Sequence, residues 1–172
     1  YLVIEEGLSG RTTVFPDPLH ESMSGLDLIY SCLMSHEPVD LLIIMLGTND
    51  TKERLGANAA CIGIGMERLV AKARSVEAWR DGRPNILVIS PPHIGDGLLD
   101  NPVGRPMGHG CPEKSRELAA YYKQLAERQG VAFLDAEGIG EFNLLDCMHL
   151  TRRGHRRLAG KLAVLVPELL NR

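Results

Sequence analysis

Four short, almost continuously apolar runs constrain this chain more than any other feature. They are residues 2–5 (LVIE), 41–46 (LLIIML), 86–90 (ILVIS) and 131–135 (VAFLD). They lack the polar alternation of a strand with one wet face, so they read as parallel strands covered on both sides. Between them the apolar spacing changes to that of a helix. Residues 26–36 form an amphipathic segment that stops near Pro38. Residues 57–75 place Ile62, Met66, Leu69, Val70 and Ala73 on one stripe. Residues 112–129 do the same with Leu118, Tyr122, Leu125 and Ala126, and Gly130 follows as a C-terminal stop. A last helix is predicted after Thr151, a suitable N-cap, with Leu158, Leu162, Leu165, Val166 and Leu169 toward the core. Strands alternating with helices predict an α/β fold around a parallel sheet, whose functional residues gather at the carboxyl ends of the strands. Residues 90–112 break the pattern. This Gly- and Pro-rich connection is expected to wall a cleft, to pack in a subunit interface, or to move freely at the surface.

At 172 residues a single domain, 1–172, is expected. A net charge of −3 offers no electrostatic case for nucleic acid or an anionic membrane as the main partner. No apolar run approaches the roughly 18–20 residues of a membrane span. The opening YLVIEEG has no basic segment or cleavage site of a secretory leader. Cys32, Cys61, Cys111 and Cys147 have no paired spacing and are expected to be reduced thiols in a cytoplasmic protein. His20, His36, His93, His109 and His155 are scattered, and neither C-x-x-C nor H-x-x-x-H spacing occurs, so no metal or cofactor is expected. Arg152, Arg153, Arg156 and Arg157 read as a solvated helix face. Trp79 reads as part of a helix end packed on the domain.

Three stretches carry chemistry. In Asp146-Cys147-Met148-His149-Leu150-Thr151, an Asp and a His three residues apart can fold so that the carboxylate accepts the imidazole Nδ1–H. That contact fixes the tautomer and stabilises the imidazolium that forms when the other ring nitrogen takes a proton. In Gly47-Thr48-Asn49-Asp50, directly after an apolar run, the Asn49 amide can donate to a developing oxyanion, or the stretch can be a simple turn. In Gly7-Leu8-Ser9-Gly10-Arg11-Thr12-Thr13, glycine lets the backbone approach a ligand, or again only turns the chain.

Taken together, G-x-S-G, G-T-N-D and D-x-x-H-L-T-x-x-G-H resemble blocks II, III and V of the SGNH (GDSL-type) serine hydrolases in order, spacing and strand context. The stretches E-E-G-L-S-G-R-T-T and I-I-M-L-G-T-N-D-T-K look particularly like bacterial arylesterases and acyltransferase-type esterases. The resemblance implies a three-layer flavodoxin-like sandwich. It also implies an ester hydrolase in which Gly10 and Asn49 donate to the oxyanion, His149 is the general base and Asp146 orients it. Thioesterase and carbohydrate acetyl esterase activities belong to the same family and stay open. So does a non-catalytic scaffold that has lost its serine. The small-molecule partner is an ester, and a homo-oligomer is expected.

One block departs from the pattern. The family's nucleophilic serine lies in G-D-S at the end of the first strand, and no G-D-S occurs here. Ser9 is not expected to replace it, because the nucleophile elbow is G-x-S-x-G and position 11 is Arg. In the implied fold the G-D-S strand would sit between residues 2–5 and 41–46, and without it a gap of about 9–10 Å, two strand spacings, would open. The domain is therefore expected to be N-terminally incomplete and inactive alone. The serine would arrive on a preceding segment, or on another chain that completes the sheet.

Overall fold

A computed structural model describes residues 1–171. The regular elements are α1 (Gly25–Ser35), β1 (Leu42–Ile44), α2 (Ala59–Arg74), β2 (Ile86–Ser90), α3 (Cys111–Gln129), β3 (Ala132–Asp135) and α4 (Arg152–Leu170). The strands form one parallel sheet in the order β1-β2-β3, with Leu42 opposite Ile86 and Leu87 opposite Ala132. The central strand β2 is buried along its whole length, as its unbroken apolar run predicts.

Side-chain alternation along β2 divides the interior in two. Ile86 and Val88 join the larger core with α1, α2 and α3, while Leu87 and Ile89 face Leu158 and Leu169 of α4. The result is the helix–sheet–helix layering that the resemblance implies. Local chemistry marks the helix ends. Asn58 caps α2 by accepting from the Cys61 amide at 2.8 Å, and Thr151 caps α4 by accepting from Gly154 at 2.9 Å. Gly130 ends α3 in the left-handed region.

Two expectations fail. Residues 2–5 form no strand; Tyr1, Leu2 and Val3 are 89%, 88% and 79% exposed. A strand's hydrogen bonds are made with its neighbour, and no other described backbone segment pairs with this run, so its strand-forming composition goes unused. Residues 77–83 form turns rather than a helix end, with Trp79 buried in the larger core and bridged to Val39. In addition, β1 is shorter than the 41–46 run that predicted it. It lies at the edge of the sheet with only one side paired.

The 90–112 connection is a packed structure. Short 3₁₀ turns at Asp96–Asp100 and Arg105–Met107 enclose a small core of Ile94, Leu98, Met107 and Cys111, against which Met148 packs. The connection thereby braces the segment that carries Asp146 and His149.

Candidate active site

Asp146 and His149 lie in the loop between β3 and α4. The imidazole Nδ1 stands 3.0 Å from Asp146 Oδ2. The other carboxylate oxygen accepts the backbone N–H groups of Met148 (2.9 Å) and His149 (2.8 Å). Asn143 holds the loop closed: its side-chain oxygen accepts from the Leu145 and Asp146 amides, and its nitrogen donates to Asp146 Oδ2 and to the His149 carbonyl. Cys147 adopts φ 59° and its carbonyl accepts the Gly95 N–H at 2.7 Å, which fastens the loop to the 90–112 connection. The Asp146 side chain is 14% exposed and the imidazole 67%. Partial burial pushes the Asp146 carboxyl up. The His149 and Met148 amides, the imidazole and Asn143 outweigh it and bring the carboxyl down to about 2. Asp146 is therefore a carboxylate at neutral pH, and the Nδ1 contact leaves Nε2 as the ring nitrogen able to take a proton.

Asn49 opens a single 3₁₀ turn, Asn49–Thr51, just past the end of β1. The turn is anchored from below. Lys114 Nζ donates to the Thr51 carbonyl at 2.8 Å, and the Tyr122 hydroxyl donates to the Leu46 carbonyl at 3.0 Å. Gly47 leads into it with φ 127°, and a Cβ there would meet the Tyr122 hydroxyl at 2.5 Å, so both backbone conformation and space demand glycine. Gly10 has φ 94°, and its N–H has no acceptor among the described residues. The following residues are tied down through Thr12 N–H to the Met23 carbonyl (2.9 Å) and through the Thr12 and Thr13 carbonyls to the start of α1.

Gly10, Asn49 and His149 all line one cleft of about 1700 Å³, so residues far apart in sequence are brought to a common space. Ser9 lines it too, but no serine hydrogen-bonds the imidazole among the described residues. The cleft runs on between the exposed residues 1–4 and the unpaired edge of β1. Arg152, Arg153, Arg156 and Arg157 are exposed, as a solvated face predicts. The four cysteines are free thiols. No group of His, Cys, Asp and Glu among the described residues is arranged to hold a metal, and no helix among them is long and apolar enough to cross a membrane.

Two features in and behind the wall of the cleft escaped the sequence reading. Lys52 and Arg54 at its rim both bind the buried carboxylate of Asp17, Lys52 at 2.9 Å and Arg54 through two nitrogens. The Arg54 guanidinium, with Lys52, holds that carboxyl well below the usual range despite its burial. Asp50, beside Asn49, is fully buried and accepts from Thr13. In sequence each is one acidic residue among many. Their partners stand 35 to 37 positions away, and no local pattern links them.

The family model described as GDSL-like Lipase/Acylhydrolase matches residues 1–157. Among solved structures, the chain is 37% identical to an aryl esterase from M. smegmatis, with a TM-score of 0.89, 98% of this chain and 79% of that one being covered. It is 36% identical to a carbohydrate acetylesterase from Sinorhizobium meliloti, with a TM-score of 0.88 and coverages of 96% and 78%. An acetyl-xylooligosaccharide esterase from Geobacillus is 17% identical at a TM-score of 0.59, with coverages of 93% and 70%, and shares the fold alone. No curated protein sequence matches the chain.

Proposed function

Since the chain belongs to the GDSL-like lipase/acylhydrolase family of hydrolases, we propose that it hydrolyses small carboxylic esters, aryl esters among them, through a Ser-His-Asp triad. The observation that carries this reading is the 3.0 Å contact between His149 Nδ1 and Asp146, in a loop that opens on the cleft shared with Gly10 and Asn49. A serine hydroxyl attacks the ester carbonyl while His149 Nε2 takes its proton. Asp146 stabilises the imidazolium. The Gly10 N–H and the Asn49 side-chain amide donate to the tetrahedral oxyanion, a contact worth about 3–4 kcal/mol per donor. Collapse expels the alcohol with the proton returned from His149. Water, or another small acceptor, then releases the acyl group by the reverse sequence.

The serine belongs to a strand outside these 172 residues that enters the cleft between residues 1–4 and β1. Supporting this placement, β1 offers one unpaired edge, Ile43 on it and Met45 just beyond it are exposed, and residues 1–4, which line the same cleft, are apolar and uncovered. A parallel strand there would pair with the free edge of β1, and its side chains would cover apolar surface now exposed on β1 and on residues 1–4.

The test uses the protein carrying that strand and a short p-nitrophenyl ester. His149→Ala is expected to be almost inert. Asn49→Ala is expected to lower kcat by about two to three orders of magnitude with a modest change in KM. Unchanged turnover in either variant removes that residue from the mechanism. A second reading, deacetylation of a carbohydrate ester, is favoured by the likeness to the Sinorhizobium acetylesterase. Rates on a panel of aryl esters, acetylated sugars and acyl-CoA thioesters separate these substrates. Native and denatured masses of the assembled protein report both the added segment and the expected homo-oligomer.

A further inference from the structure

We infer that Asp50 is a positioning residue that holds the two oxyanion donors, Gly10 and Asn49, at a fixed separation; the inference rests on the oxyanion role given to them above. The two donors come from segments 39 positions apart, each followed closely by a member of one buried contact. Asp50 Oδ1 accepts both the Thr13 N–H, at 2.8 Å, and the Thr13 hydroxyl, at 2.5 Å. Asp50 is adjacent to Asn49, and Thr13 lies three residues beyond Gly10. Asp50 and Thr13 are both fully buried, so the contact is shielded from competing water.

The surroundings leave the pair little freedom. The Asp50 N–H donates to the Gly47 carbonyl at 3.1 Å, which fixes the carboxyl's own turn. The Thr13 hydroxyl is pressed against α2, where a Cβ on Gly65 would come within 2.7 Å of it. The Tyr122 hydroxyl closes the site from α3. The second Asp50 oxygen is buried and has no hydrogen-bond partner among the described residues. Burying a carboxyl with one oxygen unsatisfied is costly, and an apolar residue would fill the same space at lower free energy. What the carboxyl supplies is a two-donor contact whose short range forbids one loop from sliding past the other. The same segments are tied again by Asp17 with Lys52 and Arg54, but that tie lies further from the donors, by four residues on the Gly10 side and by two and four on the Asn49 side.

The test compares kcat and KM on a p-nitrophenyl ester for Asp50→Ala, Asp50→Asn, Asn49→Ala and the Asp50→Ala/Asn49→Ala double variant, in the protein carrying its serine strand. Asp50→Ala is expected to lower kcat by about 30- to 100-fold with KM within about threefold, a loss confined to the transition state. Asp50→Asn, which keeps an acceptor oxygen for Thr13, is expected to recover activity to within about fivefold of wild type. In the Asn49→Ala background the Asp50 change should add about threefold or less, because it acts through the donor already removed. If Asp50→Ala does not fold, Thr13→Val, which deletes one donor of the contact, takes its place in the same cycle. Asp50→Ala turnover within threefold of wild type, no recovery with Asn, or losses that multiply in the double variant would overturn the inference. If Asn49→Ala itself leaves turnover unchanged, the oxyanion assignment has failed instead.

Discussion

Asp146 and Asp50 stand behind two residues that line the cleft, His149 and Asn49, in opposite electrostatic settings. Asp146 is slightly exposed and surrounded by donors, and these hold its carboxyl at about 2 although partial burial opposes them. Asp50 is fully buried, and that burial pushes it up to about 6 although the Thr13 hydroxyl and amide and nearby Lys52 pull it down. The difference separates two tasks that one residue type can perform. A carboxylate that must stabilise an imidazolium needs its charge at neutral pH, and the loop supplies the donors that keep it charged. A carboxyl whose task is to accept hydrogen bonds from a neighbouring loop can sit where its charge is penalised.

The sharpest way to break this comparison is activity. Asp146→Ala is expected to lower kcat by about 10³- to 10⁴-fold, well beyond any Asp50 variant, measured on a p-nitrophenyl ester. Equal losses at the two positions would erase the distinction between orienting the base and positioning the donors. Asn143→Ala comes next. It removes both side-chain contacts to Asp146 and His149 as well as the acceptor for two loop amides. A loss of roughly 10-fold in kcat/KM is expected, equivalent to about 1–1.5 kcal/mol. An unchanged value would mean that the 90–112 connection alone positions the loop.

The smallest effect, and the most direct test of the two settings, is the pH dependence of stability. Asp50 is raised above its ordinary value, so its contribution is fullest below about pH 4 and is lost as pH rises toward and through about 6. Thermal unfolding should therefore show Asp50→Asn gaining on wild type as pH rises from 4 to 7.5, by on the order of 2 kcal/mol. Asp146 is depressed, so its contribution is present above about pH 4 and is lost as pH falls through about 2. The wild-type advantage over Asp146→Asn should shrink across that acidic window. Slopes of the same sign for both variants would contradict the settings described.

Much of this was legible in the sequence. Three of the four apolar runs became the strands they predicted, and all four helices formed within about two residues of their expected bounds, because caps, stops and apolar stripes are local. The motif residues fell in the loops that follow β1, follow residues 2–5 and precede α4, and the Asp146–His149 contact spans only three positions. Sequence alone determined what short-range geometry can encode: which segments coil, where they stop, and which residues could act as base and donors.

Tertiary structure decided what depends on a partner distant in the chain. Residues 2–5 have the composition of a strand and remain unpaired, because a strand's hydrogen bonds belong to its neighbour as much as to itself. The 90–112 connection has no helical or strand period, yet it packs around Ile94, Leu98 and Met107, since its apolar residues meet only after the chain turns back on itself. Asp50 looked like a turn residue in G-T-N-D. Its part in the site exists only because folding brings Thr13 against it and removes the water that would otherwise satisfy both.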